Sequence, residues 1–288
     1  MELPNRRYEG LHKPVVLSNE QFKVLKKYMN CDIFQHVKIL QRIGSDSLYA
    51  TVWLASLTTA DFTFAVKVQK DIKKSEKEAN MSYKLENWFE YFLLMYYNIR
   101  CDDIRLNGKS YSGMFMFMEV AMSDLRQLIK YQNVTKAELV SYILNVCDSV
   151  EIMASNFLFH GDLHIGNVFL VERDNINSRN ANTQAIKAVV GDFGESSFVT
   201  SATSHLSDIG NFITSLSTEI KTMALNGLLA NNKLVIVTKH INLQTAKTEA
   251  EYDRFLETNP SDIEQDEFII HLVKRDMDVI KDLVQGIF

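Results

Sequence analysis

The 288-residue sequence predicts an α+β fold in which a small antiparallel β-sheet with one main helix precedes a larger, mostly helical region. Three observations predict it. Runs of β-branched and aromatic residues recur from about residue 34 to 69, the Asn107-Gly108 dipeptide separates two further apolar runs, and apolar residues after Thr135 repeat at helical spacing. Strands in the first 120 residues and helices in the remainder are typical of this class.

The first half of the chain shows signals for a short helix, a β-meander, a longer helix and a hairpin. Ser18 and Gln21 form a capping-box pattern ahead of a short amphipathic stretch. Short polar breaks divide residues 34–69 into three runs, which predicts three antiparallel strands. A helical pattern follows from about 72 to 97, and the Asn-Gly dipeptide favours a two-residue hairpin turn. We therefore expect about five strands and one principal helix in this half.

Helices dominate the second half. Thr135 and Glu138 form another capping box, and the apolar residues after it repeat at helical spacing. Short buried strands are predicted on both sides of a polar loop at 160–167. Further helices are predicted at 208–220 and 268–284.

Composition and charge argue against several classes of protein. Hydrophobic residues make up 46% of the chain, charged residues 23%, and the net charge of −5 gives no indication of binding to nucleic acid or to an anionic membrane. The sequence contains no apolar run of 18 or more residues that could span a bilayer, and the N-terminus lacks the apolar run of a signal peptide. The three cysteines form no CxxC pair, so we expect no disulfide or zinc framework and an intracellular compartment, cytoplasmic or nuclear.

Three short motifs are candidates for chemistry. The first is HGDLHIGN at 160–167, called the HGDLHIGN loop below, in which a carboxylate and an amide lie five residues apart. The second is the Asp192-Phe193-Gly194 tripeptide, which follows 30 residues after Asp162 and directly after an apolar strand. The third is AVKV at 65–68, which places a lysine in a predicted buried strand, where an unpaired charge is costly.

These motifs resemble those of protein kinases and occur in the same order. The HGDLHIGN loop is similar to the catalytic loop H-R-D-L-x-x-x-N, the tripeptide to D-F-G, and AVKV to the V-A-I-K of the third strand. The resemblance implies a bilobal protein-kinase-like fold. An N-terminal extension and small ATP-binding lobe would cover 1–119, a C-terminal catalytic lobe would cover 120–288, and the break near 119–124 would be the hinge.

The resemblance also implies ATP and Mg²⁺ as cofactors. Asp162 would be the catalytic base, with His164 in the place of the usual catalytic-loop lysine. Lys67 would hold the α- and β-phosphates and pair with a glutamate of the following helix. Asn167 and Asp192 would hold the magnesium ions.

Two glutamates are candidates for the partner of Lys67. We favour Glu78, because the apolar Met81 and Leu85 follow it at helical spacing, as expected for a helix that faces the interior. Glu86 is the alternative, because its distance from Lys67 along the sequence is closer to that in many kinases.

The phosphate-binding loop departs from the family pattern G-x-G-x-x-G-x-V. Counting back from Val52, the glycine positions fall on Ser45, Ser47 and Ala50. All three substitutes are small, so the backbone can still approach a phosphate, but the access of glycine to positive φ is lost. The loss of the three glycines is therefore expected to affect ATP affinity more than the fold.

The strand that leads to the hinge supplies the remaining nucleotide contacts that the resemblance implies. Met118 would be the gatekeeper, and the backbone groups of Glu119 and Ala121 would meet the adenine edge. Ala65, in the AVKV run, would complete the nucleotide-binding set.

Two departures from the kinase pattern bear on the substrate. Gly161 replaces the arginine of H-R-D, and the loop also resembles that of aminoglycoside and choline phosphotransferases and of atypical and viral kinases. No A-P-E follows Asp192; instead Asp208, 16 residues on, resembles the aspartate that opens the central helix of the large lobe. We favour a protein Ser/Thr kinase acting on a protein substrate, with a small-molecule phosphotransferase and then a pseudokinase scaffold as alternatives. Phosphorylation of the shortened segment after Asp192 is not expected to be required.

Overall fold

The computed structural model has a mixed α+β fold, so the coarse class predicted from the sequence is confirmed. Within the described part of the chain there are seven α-helices and a five-stranded antiparallel sheet. The described residues are 15–28, 30–43, 50–131, 134–174, 184–198, 201–222, 231–258 and 260–287.

The five-stranded sheet comes from the first part of the chain. Its strands are β1 (Val37–Ile43), β2 (Ala50–Leu57), β3 (Thr63–Gln69), β4 (Met95–Leu106) and β5 (Lys109–Met118). Their order is β1-β2-β3-β5-β4, and every neighbouring pair is antiparallel. The predicted meander and the predicted number of strands are therefore confirmed.

A two-residue turn joins β4 to β5. Asn107 and Gly108 have φ values of 48° and 77°, the positive values that tight hairpin turns require. Glycine lacks a Cβ and asparagine tolerates the left-handed region, so this dipeptide adopts the turn at little cost. The predicted hairpin is confirmed.

An N-terminal segment packs beside this sheet and contains α1 (Asn19–Lys26). The predicted capping box forms, because Ser18 Oγ accepts from Gln21 N and the Gln21 side chain accepts from Ser18 N. Ahead of the helix, two backbone hydrogen bonds of 3.0 Å join Val15 to Val120. The N-terminal segment therefore contacts the chain at the point where β5 ends.

Helix α2 spans Ile72–Lys84 and is therefore shorter than the helix predicted from about 72 to 97. The residues beyond it use their backbone groups elsewhere: Leu93 N donates to Val190 O at 2.9 Å, and Val190 N donates to Tyr91 O at 3.0 Å. A continuous helix would need the same groups for its own hydrogen bonds. The helical pattern was thus wrong in its second half, where pairing with a distant strand outweighs local periodicity.

Five helices account for most of the chain after β5. They are α3 (Leu125–Tyr131), α4 (Lys136–Ser155), α5 (Ala202–Thr222), α6 (Asn231–Leu256) and α7 (Asp262–Ile287). The predicted capping box of Thr135 and Glu138 starts α4, and the two predicted helical stretches lie in α5 and α7. Among the described residues, none of these helices has the length and hydropathy of a membrane span.

The sequence predicted no helix at α6. The first half of this helix is rich in β-branched residues, which lower helix propensity. The helix forms because Leu234, Val237 and Ile241 recur at helical spacing and are buried in the hydrophobic core that also contains α4, α5 and α7. Packing outweighs intrinsic propensity at this position.

Two small sheets position the candidate motifs. Strand β7 (Leu158–Phe159) pairs with β10 (Ser197–Phe198), and β8 (Val168–Asp174) lies between β6 (Ser123–Asp124) and β9 (Gln184–Val190). The HGDLHIGN loop therefore connects β7 to β8, and Asp192 lies two residues after the end of β9. Both placements agree with the strands predicted around these motifs.

Cys31 and Cys101 form a disulfide, with 5.8 Å between their Cα atoms. The expectation that no disulfide forms is therefore wrong. The two residues are 70 positions apart, and only the packing of the N-terminal segment against β4 brings them together. Cys147 is buried and free. The expected absence of a disulfide therefore no longer supports the prediction of an intracellular compartment.

Removing the disulfide should lower the free energy of unfolding by about 2–4 kcal/mol, because the cross-link closes a long loop in the unfolded chain. The test is urea unfolding of the wild type and of the double variant Cys31→Ala, Cys101→Ala, each with and without reductant. We expect reductant to destabilise the wild type and to leave the double variant unchanged. Equal stability of all four samples would contradict the assignment.

Candidate active site

The backbone of the HGDLHIGN loop is anchored by α5. Asp208 on this helix is fully buried and accepts hydrogen bonds from the backbone N–H groups of His160 (2.8 Å) and Gly161 (3.1 Å). Burial raises the pKa of Asp208 to about 7, although both donors favour the ionised form. About two turns further along α5, Ser215 Oγ accepts a hydrogen bond from Ile165 N at 3.1 Å. The loop is thus held at two points by one helix.

The buried ring of His160 links the loop to the segment after β9. Its Nε2 lies 3.0 Å from Gly191 O, and its Nδ1 accepts from Asp162 N at 3.3 Å. One neutral tautomer, with the proton on Nε2, satisfies both contacts. Burial lowers the pKa of His160 and so favours this neutral form. Phe193 packs against the ring with 5.3 Å between centroids.

The backbone at Gly161 explains why the loop has no arginine at this position. Gly161 has a φ of 80°, a value that side-chain-bearing residues rarely adopt. A Cβ at this position would lie 2.8 Å from the backbone oxygen of Glu195. Conformation and space both exclude a side chain.

Gly161→Ala should therefore destabilise the fold by about 2 kcal/mol, because it adds backbone strain to a clash with a neighbouring main chain. The measurement is the free energy of unfolding in urea. Gly286→Ala is the matched control, because a Cβ at that helical glycine meets nothing within 4 Å. The control should be neutral or slightly stabilising. If both variants have the stability of the wild type, the constraint at Gly161 does not exist.

Three charged side chains from different elements meet beside the loop. Lys67 Nζ on β3 lies 2.8 and 2.9 Å from the two carboxylate oxygens of Glu78 on α2, and 2.8 Å from Oδ1 of Asp192. Glu86, the alternative partner, lies exposed in the 3₁₀ turn after α2. The predicted ion pair between Lys67 and Glu78 therefore forms.

The charges of these three groups are coupled. Burial opposes the charge on Lys67, but Glu78 and Asp192 outweigh it and raise the pKa of the lysine. Burial raises the pKa of Glu78, whereas at Asp192 the attraction of Lys67 outweighs burial and lowers the pKa. The side chain of Asp192 is 41% exposed and that of Glu78 only 2%. When all three groups are ionised, the two carboxylates outnumber the one ammonium group. The net negative charge is therefore accessible to solvent at Asp192.

The Asp-Phe-Gly segment has a defined conformation. Asp192 lies in the left-handed region, with φ 63° and ψ 67°, a conformation that aspartate tolerates better than most residues but that still costs free energy. Phe193 is buried and packs edge-on against Phe92, with 5.9 Å between centroids. The same hydrophobic core contains Met81 of α2. Phe193 thus packs in the same hydrophobic core as Met81 of α2, while the side chain of Asp192 stays accessible to solvent.

Asn167 has the chemistry of a cation ligand. Its Nδ2 donates to Asp162 O at 2.9 Å, which leaves Oδ1 as an acceptor. An amide oxygen here and the Asp192 carboxylate are ligands that suit Mg²⁺. The described residues contain no cluster of three or more His, Cys, Asp or Glu side chains arranged for a metal. These two residues therefore fit a magnesium ion only if phosphate and water oxygens complete its coordination.

Asp162 presents an accessible carboxylate from a fixed backbone. Its side chain is 55% exposed, and its Oδ2 lies 3.8 Å from Nε2 of His164. His164 Nδ1 accepts from Gly166 N at 3.0 Å, which in the neutral ring places the proton on Nε2, on the side of Asp162. An exposed carboxylate on an anchored loop is suited to proton transfer with a bound hydroxyl.

An apolar cluster adjoins the charged groups. It contains Ala65 and Met118, and Val52 and Ala121 pack against it; the sequence assigned all four to nucleotide binding. In the sheet, Val52 pairs with Lys67, and Ala65 pairs with Met118. The structure therefore brings these predicted residues together next to the lysine.

The backbone after β5 alternates between bonded and open N–H groups. Val120 N donates to Val15 O at 3.0 Å, and Met122 N donates to Leu170 O at 2.8 Å. Between them, Ala121 N donates to no residue in the ranges that the structure describes. This is one of the two positions at which a backbone contact to adenine was predicted.

The remaining predicted nucleotide contacts have different outcomes. Glu119 is buried, and its N–H and carboxylate both bond to the backbone of Leu94, at 3.0 and 2.6 Å. Ser45 and Ser47 lie outside the described residues. Ala50 begins β2, so the predicted phosphate loop directly precedes a strand.

Sequence reasoning missed several neighbours of the site. Ile43 and Phe169 pack against the apolar cluster, and Phe169 could have been found from its place in the strand two residues after Asn167. Lys74 of α2, which the motifs do not include, forms an ion pair with Glu195, 121 residues further along the chain. No short-range pattern signals a contact over that separation.

Comparison with known proteins identifies no family for this chain. A scan against protein-family models and a search of the curated proteins both gave no match. The functional inference therefore depends on the residues of the site and their contacts.

Proposed function

We propose that this chain is an ATP-dependent phosphotransferase of the protein-kinase-like superfamily, which transfers the γ-phosphoryl group of Mg-ATP to a Ser or Thr hydroxyl of a protein. The observation that carries the proposal is the contact of one buried lysine, Lys67, with both Glu78 and Asp192. The loop that contains Asp162 and Asn167 adjoins this group, because Gly191 N donates to Asn167 O at 3.0 Å. The three sequence motifs thus lie next to one another, together with Glu78 of α2.

The proposal divides the chain into two lobes at the segment after β5. The sheet and α2, within 1–119, would form the ATP-binding lobe, and 120–288 would form the catalytic lobe. The observations in its support are the open N–H of Ala121 and the apolar cluster that includes Met118. An adenine ring needs an apolar slot and a few polar backbone groups, which these residues would provide.

Each charged or polar residue has a role in the proposed reaction. Lys67, held by Glu78, would orient the phosphates, and Asp162 would orient the acceptor hydroxyl and accept its proton. His164 would add a polar N–H beside that carboxylate. Asn167 and Asp192 would hold Mg²⁺, which when bound neutralises charge on the phosphates.

Two alternatives remain for the acceptor and the activity. The HGDLHIGN loop and the shortened segment after Asp192 are also compatible with a small-molecule phosphotransferase of the aminoglycoside or choline type. A pseudokinase scaffold is less favoured, because Lys67, Asp162 and Asn167 are present with mutually consistent contacts. The substrate class is therefore the main question for experiment.

Incubation of the purified protein with labelled ATP and Mg²⁺ tests the proposal. Parallel reactions contain generic protein substrates, a panel of aminoglycosides, and choline, with Asp162→Asn as the inactive control. We expect label on serine or threonine of protein. Label on a small molecule alone would replace the proposed acceptor, and nucleotide binding without any transfer would favour the scaffold.

Activity should not require phosphorylation of the segment after Asp192. With Gly161 in place of an arginine, the loop lacks a donor that could hold a phosphate on that segment. Protein made in bacteria and shown by mass spectrometry to be unphosphorylated should turn over without a lag. A lag that pre-incubation with ATP abolishes would show that the segment is a switch.

A further inference from the structure

An ion pair ties α2 to the turn after Asp192. Lys74 on α2 contacts the carboxylate of Glu195, and this hydrogen bond raises the pKa of the lysine. The aliphatic stem of Lys74 lies across Gly194, where a Cβ would collide with it. The lysine thus packs against the turn with its stem and binds it with its ammonium group.

The position of Lys74 on the helix relates it to Glu78. The two residues are four positions apart and therefore lie on the same face, one turn from each other. Through this face α2 is joined to residues 192–195 twice. Lys74 contacts Glu195 directly, and Glu78 contacts Lys67, which in turn contacts Asp192. A rotation or outward shift of α2 would break both contacts.

Glu195 also adjoins the HGDLHIGN loop. Its backbone oxygen occupies the space that a Cβ on Gly161 would need. The next residue, Ser196, donates from Oγ to His160 O at 3.2 Å. Glu195 therefore lies at a junction of α2, the turn and the loop.

We propose that Lys74 and Glu195 are positioning residues, whose ion pair holds α2 in the orientation in which Glu78 contacts Lys67. This inference rests on the proposed phosphotransferase function.

Charge reversal tests the pair. Lys74 is 32% exposed and Glu195 54%, and exposed pairs contribute little to overall stability, so the melting temperature should hardly change. In Lys74→Glu and in Glu195→Lys, attraction becomes repulsion. We expect kcat to fall about five-fold, which corresponds to about 1 kcal/mol, with an unchanged KM for the protein substrate. The swapped double variant should return to within about two-fold of the wild type.

Lys73→Glu is the matched control. It makes the same charge change on the adjacent, exposed residue of α2, for which the described part of the chain offers no ion-pair partner. We expect this variant to keep the kcat of the wild type. A loss equal to that of Lys74→Glu, or a swapped variant as slow as the single variants, would overturn the proposal.

Hydrogen exchange gives a readout that does not depend on catalysis. Amides of residues 72–84 should exchange faster in Lys74→Glu than in the wild type and in Lys73→Glu, and the swapped variant should restore their protection. Unchanged exchange in Lys74→Glu would overturn the positioning role, whatever the activity. A wild type that transfers no phosphate but shows this exchange pattern would refute the proposed function alone.

Discussion

Asp162→Asn is expected to lower turnover by about 10²-fold or more while the fold and nucleotide binding are retained. Loss of a general base typically costs a factor of this size. The structure allows a clean substitution, because the contacts that hold this residue use its backbone: its N–H donates to His160 Nδ1, and its carbonyl accepts from Asn167 Nδ2. Asparagine keeps both, and the replaced carboxylate is more than half exposed.

The measurement is steady-state phosphotransfer, combined with nucleotide binding and thermal unfolding of the same preparation. Asp61→Asn is the control, an exposed carboxylate in the connection between β2 and β3. It should be fully active. Unchanged turnover of Asp162→Asn would remove this residue from the mechanism, and a large loss of stability would show that its side chain has a structural role.

The parts of the fold that could be predicted from the sequence depend on short-range chemistry. Capping boxes at Ser18 and Thr135 and the turn at Asn107 involve residues within four positions of each other, so their patterns are readable in one dimension. The preference for Glu78 over Glu86 as the partner of Lys67 could also be predicted, because helical periodicity orients Glu78 inward. A buried lysine then needs that carboxylate.

The parts that could not be predicted depend on contacts between distant segments. Helix α2 ends early because Tyr91 and Leu93 pair with Val190, almost 100 residues away along the chain. The disulfide of Cys31 requires the N-terminal segment to lie on β4. Local periodicity carries no information about such pairing, and where the two compete the more extensive packing decides the structure.

The departures of the HGDLHIGN loop from the kinase pattern become consistent once the backbone is known. Gly161 adopts a positive φ against the main chain of Glu195, so glycine is required at this position by the conformation. Glu195 in turn binds Lys74. The glycine at 161 is thus accompanied by the contact between Glu195 and Lys74. The sequence alone revealed the glycine but not this contact. This interdependence is one physical reason why motif similarity alone underdetermines the site.

Asp192→Asn is expected to raise the Kd for Mg-ATP by about ten-fold or more, with a much smaller effect on metal-free ATP. Carboxylate oxygens bind Mg²⁺ strongly, and changes even among groups that only support metal ligands cost about 10–100-fold in affinity. Asparagine is preferable to alanine here, because Asp192 has a φ of 63° and asparagine tolerates the left-handed region. Lys67 keeps its two contacts with Glu78, so the buried ammonium remains paired.

Calorimetric titration of ATP with and without Mg²⁺ separates the metal term from direct effects on phosphate binding. Glu90→Gln is the matched control: it neutralises a partly buried carboxylate whose contact is with Lys187 at 3.4 Å, apart from the charged group of Lys67. The control should bind Mg-ATP like the wild type. If Asp192→Asn weakens ATP binding equally with and without Mg²⁺, the carboxylate acts through Lys67 and the phosphates. In that case the predicted metal role of Asp192 is wrong, although the lysine site itself would stand.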